Sequence, residues 1–207
     1  MRLRLFTSFV FRLAIIVFLC GVSQTMLAQQ KAQRIALVIG NDSYTKIPAL
    51  MNARSDARAV AASLQKSGFE VILRTDLSDR GMREAVRQFK ARLTGGTEAV
   101  FYFSGHGVQV GSGNYLLPID VRTDNDSLLD DALYLGDLLA IIDKKRPKLS
   151  VVILDACRDN PFRDSRHLPL RAGLARVDPP SSTVVFYATR PGGVASDGTD
   201  EIGRAHV

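Results

Sequence analysis

Near-continuous apolar runs alternate with segments of helical periodicity, and this alternation is the feature that most restricts the fold. The apolar runs lie at residues 34–40, 69–74, 98–104, 149–156 and 183–189. Segments with apolar residues at helical spacing lie between them, at residues 52–66, 81–93 and 137–145. Continuous apolar runs are typical of strands buried on both faces, as in parallel sheets covered by helices. The sequence therefore predicts an α/β fold in three layers, a mainly parallel sheet with helices on both faces. We also expect Gly68 to end the first helix and Asp79 to cap the second.

Two reactive side chains come directly after two of the predicted strands. His106 follows the third apolar run, and Cys157 follows the fourth. Because catalytic groups in such sheets gather beyond the carboxyl ends of the strands, we expect these two residues to meet. Gly105 and Gly107 predict a sharp turn at His106 that keeps the imidazole out of the core. A neighbouring His can take the proton of a thiol, so the pair predicts a catalytic Cys-His dyad.

Residues 1–28 have the pattern of a secretory signal. A basic start precedes a ten-residue apolar stretch at residues 13–22, which is shorter than the ~20 residues that a membrane span needs. Ala28 would end the signal, and residues 29–33 would form a polar spacer. We therefore expect an exported protein, periplasmic or secreted from a bacterium. An uncleaved signal would anchor it to the membrane, and Cys20 leaves a lipid anchor as a further alternative.

Cysteine use and charge restrict the partners. Of the two cysteines, Cys157 alone remains once the signal is removed, so no intramolecular disulfide can form in an oxidising compartment. Residues 29–207 carry 24 basic and 21 acidic residues without a basic stripe of interleaved aromatics. This balance predicts no nucleic-acid partner. Apart from the signal we expect no membrane contact, and the oligomeric state stays open.

The residues around His106 and Cys157 resemble those of the caspase and metacaspase superfamily of cysteine peptidases. Caspases carry Q-A-C-[RQG]-G with a His about 50 residues upstream; here the motif is DACR at residues 155–158, with His106 51 residues before Cys157. The segment SGHG at residues 104–107 matches the histidine turn of the family. DACRDNPF and the later YATRPG are similar to the bacterial caspase-like group. The resemblance covers about residues 34–200 and implies a three-layer caspase-like catalytic domain.

The resemblance also implies the roles of the site residues. Cys157 would attack a peptide carbonyl, His106 would serve as general base and then acid, and the backbone amides of Gly107 and Cys157 would form the oxyanion hole. The substrate would be a peptide or protein, and no cofactor would be required. Caspases have Gln where this chain has Asp155 and cut after Asp, whereas metacaspases have Asp there and cut after Arg or Lys. We therefore expect Asp155, with Asp56 as a second candidate, to bind a basic side chain of the substrate.

A group of acidic residues suggests that calcium could regulate the protein. Some metacaspases bind regulatory calcium through acids at positions that Asp120, Asp130, Asp131 and Asp164 match loosely. Hard cations prefer several carboxylate oxygens. The same residue types are also typical of turns.

Other classes of function compete with the peptidase. Caspase-like folds also serve as catalytically weak or inactive binding modules, and the presence of both dyad residues favours activity. Cys157 and Arg163 satisfy the C-x5-R signature of phosphatases. However, Asp155, Asp159 and Pro161 add negative charge and remove an amide donor, which disfavours a phosphate cradle.

The last seven residues, EIGRAHV at 201–207, do not continue the pattern of strands and helices before them. They look like the translation of a sequencing adapter, so we exclude them from the fold. We then expect the catalytic domain, residues 34–200, to be truncated at its carboxyl end.

Overall fold

The computed structural model describes residues 32–157, 162, 170–171 and 174–188. Within these ranges, only the backbone is described for residues 125–126, 157 and 170–171. The chain divides into two compact units, residues 1–32 and 33–207, and the fold below is that of the second. The predicted signal at 1–28 and the suspected non-native tail at 201–207 lie outside the described residues.

The described part of the chain contains strands and helices in alternation. The strands are β1 (Arg34–Gly40), β2 (Glu70–Thr75), β3 (Glu98–Val110), β4 (Gly113–Leu116), β5 (Leu133–Tyr134), β6 (Leu149–Cys157), β7 (Leu170–Arg171) and β8 (Thr183–Tyr187). The helices are α1 (Ala53–Lys66), α2 (Asp79–Arg92), α3 (Asn125–Asp131) and α4 (Leu135–Lys145).

The five predicted strands form one parallel sheet in the order β2-β1-β3-β6-β8. On one face, α1 buries Ala57 and Ala61 against β1 and β3. On the other face, α2 and α4 pack residues such as Phe89 and Leu138 against the same strands. The central strands β1 and β3 are buried on both faces, which explains their continuous apolar runs, whereas the edge strands β2 and β8 are partly exposed. The predicted three-layer α/β fold is confirmed.

The third strand differs from the prediction. β3 does not end in a turn at the glycines but runs on to Val110, and His106 is only 3% exposed within it. Beyond the parallel sheet, residues 107–110 pair antiparallel with β4, and Gln109 and Val110 also pair with β7. The expected sharp turn at His106 was therefore wrong, because β4, which follows directly in the chain, and β7, which lies far along it, supply the partners for this extension.

The helix ends agree with the prediction in one case and differ in another. Gly68 follows the last turn of α1 with φ 81°, the left-handed conformation that glycine adopts without penalty. At the start of α2, Ser78 rather than Asp79 is the cap, because its hydroxyl accepts the N–H of Gly81 at 3.2 Å. Asp79 lies in the first turn, where its charge suits the helix dipole. None of the helices in the described ranges is long and apolar enough to cross a membrane.

Candidate active site

His106 and Cys157 are register partners on adjacent parallel strands, β3 and β6. Neighbouring strands lie about 4.8 Å apart. The backbones of the two residues are therefore close enough for a thiol and an imidazole to interact. Of Cys157, which is the last residue of β6, the structure describes only the backbone. The fold thus places the two residues that the sequence singles out side by side on two inner strands of the sheet.

The imidazole of His106 is held by its Nε2 atom. This nitrogen lies 2.8 Å from the carbonyl oxygen of Pro48, in the loop between β1 and α1. A carbonyl oxygen can only accept a hydrogen bond, so Nε2 carries the proton. The neutral ring then has its lone pair on Nδ1, which makes Nδ1 the atom able to accept a proton.

The backbone of His106 is held by Tyr44, from the same loop. The N–H of His106 donates to the Tyr44 hydroxyl at 2.7 Å, and that hydroxyl donates to the carbonyl of Leu117 at 3.3 Å. The two rings lie 4.6 Å apart between centroids, tilted by 59°. A Cβ at Gly105 would come within 2.6 Å of the Tyr44 hydroxyl oxygen. Glycine at 105 is therefore required by the close approach of Tyr44 rather than by a turn.

Gly107 lies against the strand that ends in Cys157. A Cβ at Gly107 would come within 3.1 Å of the Cβ of Ala156 and 3.2 Å of Cδ2 of Leu174. Leu174 belongs to a segment that Asn114 fixes through two hydrogen bonds of 2.7 Å with the backbone of Ala175. The backbone beside the dyad is thus tightly packed, with little room for a side chain at Gly107.

Asp155 and Asp56 lie on different elements, β6 and α1, and both act on Tyr102 of β3. The Tyr102 hydroxyl donates to the Asp155 carboxylate at 3.3 Å. Burial raises the pKa of Tyr102 well above its usual range, and the negative charges of Asp155 and Asp56 raise it further. Both carboxyl-bearing residues are half-buried. They give this side of the site a negative potential close to the end of β6.

The acidic residues expected to bind calcium have protein partners where they are described. Both carboxylate oxygens of Asp131 accept hydrogen bonds from Arg122, at 2.9 and 2.7 Å, and one oxygen of Asp120 accepts the N–H of Asp79 at 2.9 Å. Arg122 also lowers the pKa of Asp131. The carbonyl of Asp130 accepts from Arg83. Among the described residues, no three His, Cys, Asp or Glu side chains are grouped as metal ligands. Asp164 lies outside the described residues, so the calcium site stays a prediction.

Sequence reasoning missed the residues that hold His106 and Asp155 in place. Tyr44 and Pro48 lie in a segment that reads only as a loop, NDSYTKIP at 41–48. Tyr102 reads as a core residue of an apolar strand. The one available signal was the polar character of a loop that follows a buried strand, because catalytic groups are often carried on such loops.

Comparison with known proteins defines the class. The family model of the caspase domain, Peptidase_C14, matches residues 33–204. The chain therefore belongs to the caspase-domain family of cysteine peptidases.

Two curated relatives are similar to this chain over most of its length. They are the human mucosa-associated lymphoid tissue lymphoma translocation protein 1 and its mouse homolog, each 29% identical over 164 residues. The match covers 78% of this chain and 19% of each relative, so the chain spans about a fifth of their length. Among solved structures, a protein of Geobacter sulfurreducens has 20% identity and a TM-score of 0.49, over 60% of this chain and 50% of that one.

Proposed function

We propose that this protein is a cysteine endopeptidase that hydrolyses peptide bonds after Arg or Lys, with Cys157 as nucleophile and His106 as general base. The observation that carries the proposal is the register pairing of the two residues on β3 and β6. The contact between His106 Nε2 and Pro48 supports it, because it leaves Nδ1 to accept the thiol proton.

The chemistry follows the general course of covalent catalysis by a thiol. The thiol proton of Cys157 moves to His106, and the sulfur attacks the carbonyl carbon of the scissile bond. The C–N bond breaks as His106 returns the proton to the leaving amine. Water, deprotonated by His106, then attacks the thioester and releases the acid and the thiol. No cofactor takes part in these steps.

The oxyanion hole is assigned to the backbone amides of Gly107 and Cys157. The close packing of Gly107 on Ala156 supports this assignment, because it keeps this part of β3 beside the end of β6. One amide aimed at a developing oxyanion contributes about 3 kcal/mol to transition-state stabilisation. A side chain at Gly107 would displace this backbone.

Specificity for Arg or Lys before the scissile bond is assigned to Asp155, with Asp56 in support. The influence of both carboxylates on Tyr102 supports a shared negative region next to the dyad. A guanidinium or ammonium group is attracted to such a region, whereas the carboxylate of an aspartate is repelled.

A set of fluorogenic peptides that differ only in the residue before the scissile bond tests this function. The full chain should hydrolyse the Arg and Lys peptides and leave the Asp peptide uncut, and Cys157→Ala should cut none. Preferential cleavage after Asp would refute the specificity, and equal hydrolysis by Cys157→Ala would refute the nucleophile. If the chain cuts no peptide, the alternative of an inactive caspase-like binding module gains support.

Calcium and export belong to the proposal as separate points. Calcium is assigned only a regulatory role, through Asp120, Asp130, Asp131 and Asp164. A calcium titration of melting temperature and activity, with Asp130→Asn as control, tests it.

Export to the periplasm or the medium is proposed from the signal pattern of residues 1–28 alone. Cell fractionation with amino-terminal sequencing tests that point.

A further inference from the structure

Residues 42–50, here called the Tyr44 loop, carry both groups that hold His106. The Tyr44 hydroxyl binds the N–H of His106, and the Pro48 carbonyl binds its Nε2. The loop closes on Asp42, whose carbonyl accepts the N–H groups of Tyr44 at 2.9 Å and Leu50 at 3.0 Å. The position of the imidazole therefore depends on the position of this loop.

The start of the Tyr44 loop is anchored by Asp76, which follows β2 directly. One carboxylate oxygen of Asp76 accepts the N–H of Asp42 at 2.9 Å and the N–H of Ser43 at 3.0 Å. The other oxygen accepts the Ser43 hydroxyl at 3.1 Å. Partial burial opposes ionisation of Asp76, but the hydrogen bonds donated by Ser43 and Asp42 outweigh it, so the pKa of Asp76 is lowered. The anchor is thus a carboxylate at neutral pH.

Arg54, in the first turn of α1, ties the two acids of this anchor together. Its Nε lies 2.9 Å from Oδ2 of Asp42, and its Nη1 lies 3.1 Å from Oδ2 of Asp76. Asp42 is 3% exposed, and a buried carboxylate needs such a partner. The loop is therefore fixed to β2 and α1 by charge-assisted hydrogen bonds, which are stronger than neutral ones.

The backbone of Asp76 is shaped for this contact. Its φ is 51°, a left-handed conformation that Asp and Asn adopt more readily than most residues. Its N–H donates to the carbonyl of Gly40 at 3.0 Å, which fixes it beside the end of β1. Asp76 directly follows β2, and β1 separates β2 from the strand that carries His106. Its link to the imidazole runs through the Tyr44 loop.

We propose that Asp76 is a positioning residue for the catalytic base, acting through the Tyr44 loop on the orientation of His106. This role rests on the proposed peptidase function. Removal of the carboxylate frees the loop start, which lets the Tyr44 hydroxyl and the Pro48 carbonyl shift relative to the imidazole. A misplacement of about 1 Å in a reacting group can cost about 100-fold in rate.

The test compares Asp76→Asn with Glu98→Gln in the full chain. Asn tolerates the left-handed backbone but carries no charge for Arg54. Glu98 is a matched control, because it bridges Arg34 at 2.8 Å and Lys148 at 3.1 Å at the opposite end of the sheet. We expect kcat on an Arg peptide to fall about 10- to 100-fold in Asp76→Asn with KM changed less than about threefold. Glu98→Gln should retain the wild-type kcat.

Alkylation of Cys157 by iodoacetamide, followed by mass spectrometry of its peptide, gives a second readout that needs no substrate. Its rate should fall in Asp76→Asn and stay at the wild-type value in Glu98→Gln. If the wild type is alkylated in a His106-dependent way and Asp76→Asn matches it in rate and kcat, the positioning role is wrong while the dyad stands. If wild-type alkylation does not depend on His106, the proposed function itself fails. Should Asp76→Asn not fold, Arg54→Gln must show a smaller loss in the same two readouts; wild-type values there overturn the proposal.

Discussion

The hydroxyl of Tyr102 donates a hydrogen bond to the carboxylate of Asp155 at 3.3 Å, and Asp56 acts on the same hydroxyl from α1. This hydrogen bond connects Asp155, which we propose as the specificity residue, to the core of the sheet. Tyr102 is 5% exposed, so its ring is held by the core, and its hydroxyl orients the Asp155 carboxylate through this hydrogen bond. The region that we propose to bind a basic side chain of the substrate is therefore held by a central strand of the sheet, as a defined pocket requires.

The first prediction concerns Asp155. Asp155→Asn keeps the size of the side chain but removes its charge, and a lost partner of a desolvated charge pair costs about 2 kcal/mol or more. We expect kcat/KM on an Arg peptide to fall about 30-fold or more. The control substrate is a peptide with a neutral residue before the scissile bond. On this peptide, Asp155→Asn should show little loss of kcat/KM. Equal losses on both peptides would mean that Asp155 supports the fold and does not bind the substrate.

The second prediction concerns Tyr44. Tyr44→Phe keeps the ring beside His106 but leaves the buried N–H of His106 without this acceptor, at a cost of about 1–3 kcal/mol in stability. We expect a lower melting temperature and a kcat reduced about tenfold or more, because the base loses one of its two anchors. Thermal unfolding and peptide kinetics check this together. A lower melting temperature with an unchanged kcat would show that Tyr44 is structural alone.

The third prediction concerns Gly105. In Gly105→Ala the new Cβ would lie 2.6 Å from the Tyr44 hydroxyl oxygen and 2.8 Å from Cζ of Phe103. Such overpacking lowers the free energy of unfolding by about 1–3 kcal/mol. We expect the Tyr44 loop to move away from His106 to make room for the added methyl group. Gly96→Ala is the control, because nothing lies within 4 Å of its added Cβ. Chemical denaturation should show a loss for Gly105→Ala and none for Gly96→Ala. Equal stabilities would contradict the close packing of Tyr44 on β3.

The fourth prediction concerns acid stability. Hydrogen bonds from Ser43 and Asp42 overcome the effect of burial and lower the pKa of Asp76 from its ordinary value of 3.8. A carboxylate whose pKa is lower in the folded state stabilises the fold above its unfolded pKa and loses that contribution as pH falls through the folded value. We therefore expect the wild-type melting temperature to drop below about pH 4. Asp76→Asn should start lower at pH 7 and drop less, so that the two curves converge in acid. Parallel curves would contradict the assignment.

The sheet could be predicted from the sequence because its central strands are buried on both faces. Residues 35–40 and 151–154 are apolar without interruption, and such runs are typical of strands buried inside a parallel sheet. The short strands β4, β5 and β7 could not be predicted. They are two to four residues long, and β4 and β7 are defined by pairing with the extension of β3. Tertiary contacts, not local preference, decide such elements.

The pairing of His106 with Cys157 could be predicted because each follows an apolar run in the sequence, and parallel strands bring their carboxyl ends to one side of the sheet. The residues that support the dyad could not. Tyr44, Pro48 and Asp76 act through hydrogen bonds between segments far apart in the chain, and nothing in the local sequence of a loop records its distant partners. The same holds for Tyr102, whose hydroxyl distinguishes it from a plain core residue only once Asp155 is placed beside it.

The dyad is tested most directly by the rate at which iodoacetamide alkylates Cys157 at pH 7 in the full wild-type chain and in His106→Gln, followed by mass spectrometry of the Cys157 peptide. A thiol whose proton is taken by a neighbouring imidazole reacts faster than an ordinary thiol of pKa about 8.5. The account predicts that the wild type reacts at least about tenfold faster than His106→Gln, with both proteins folded by circular dichroism. Equal rates in the two folded proteins would contradict a Cys157–His106 dyad.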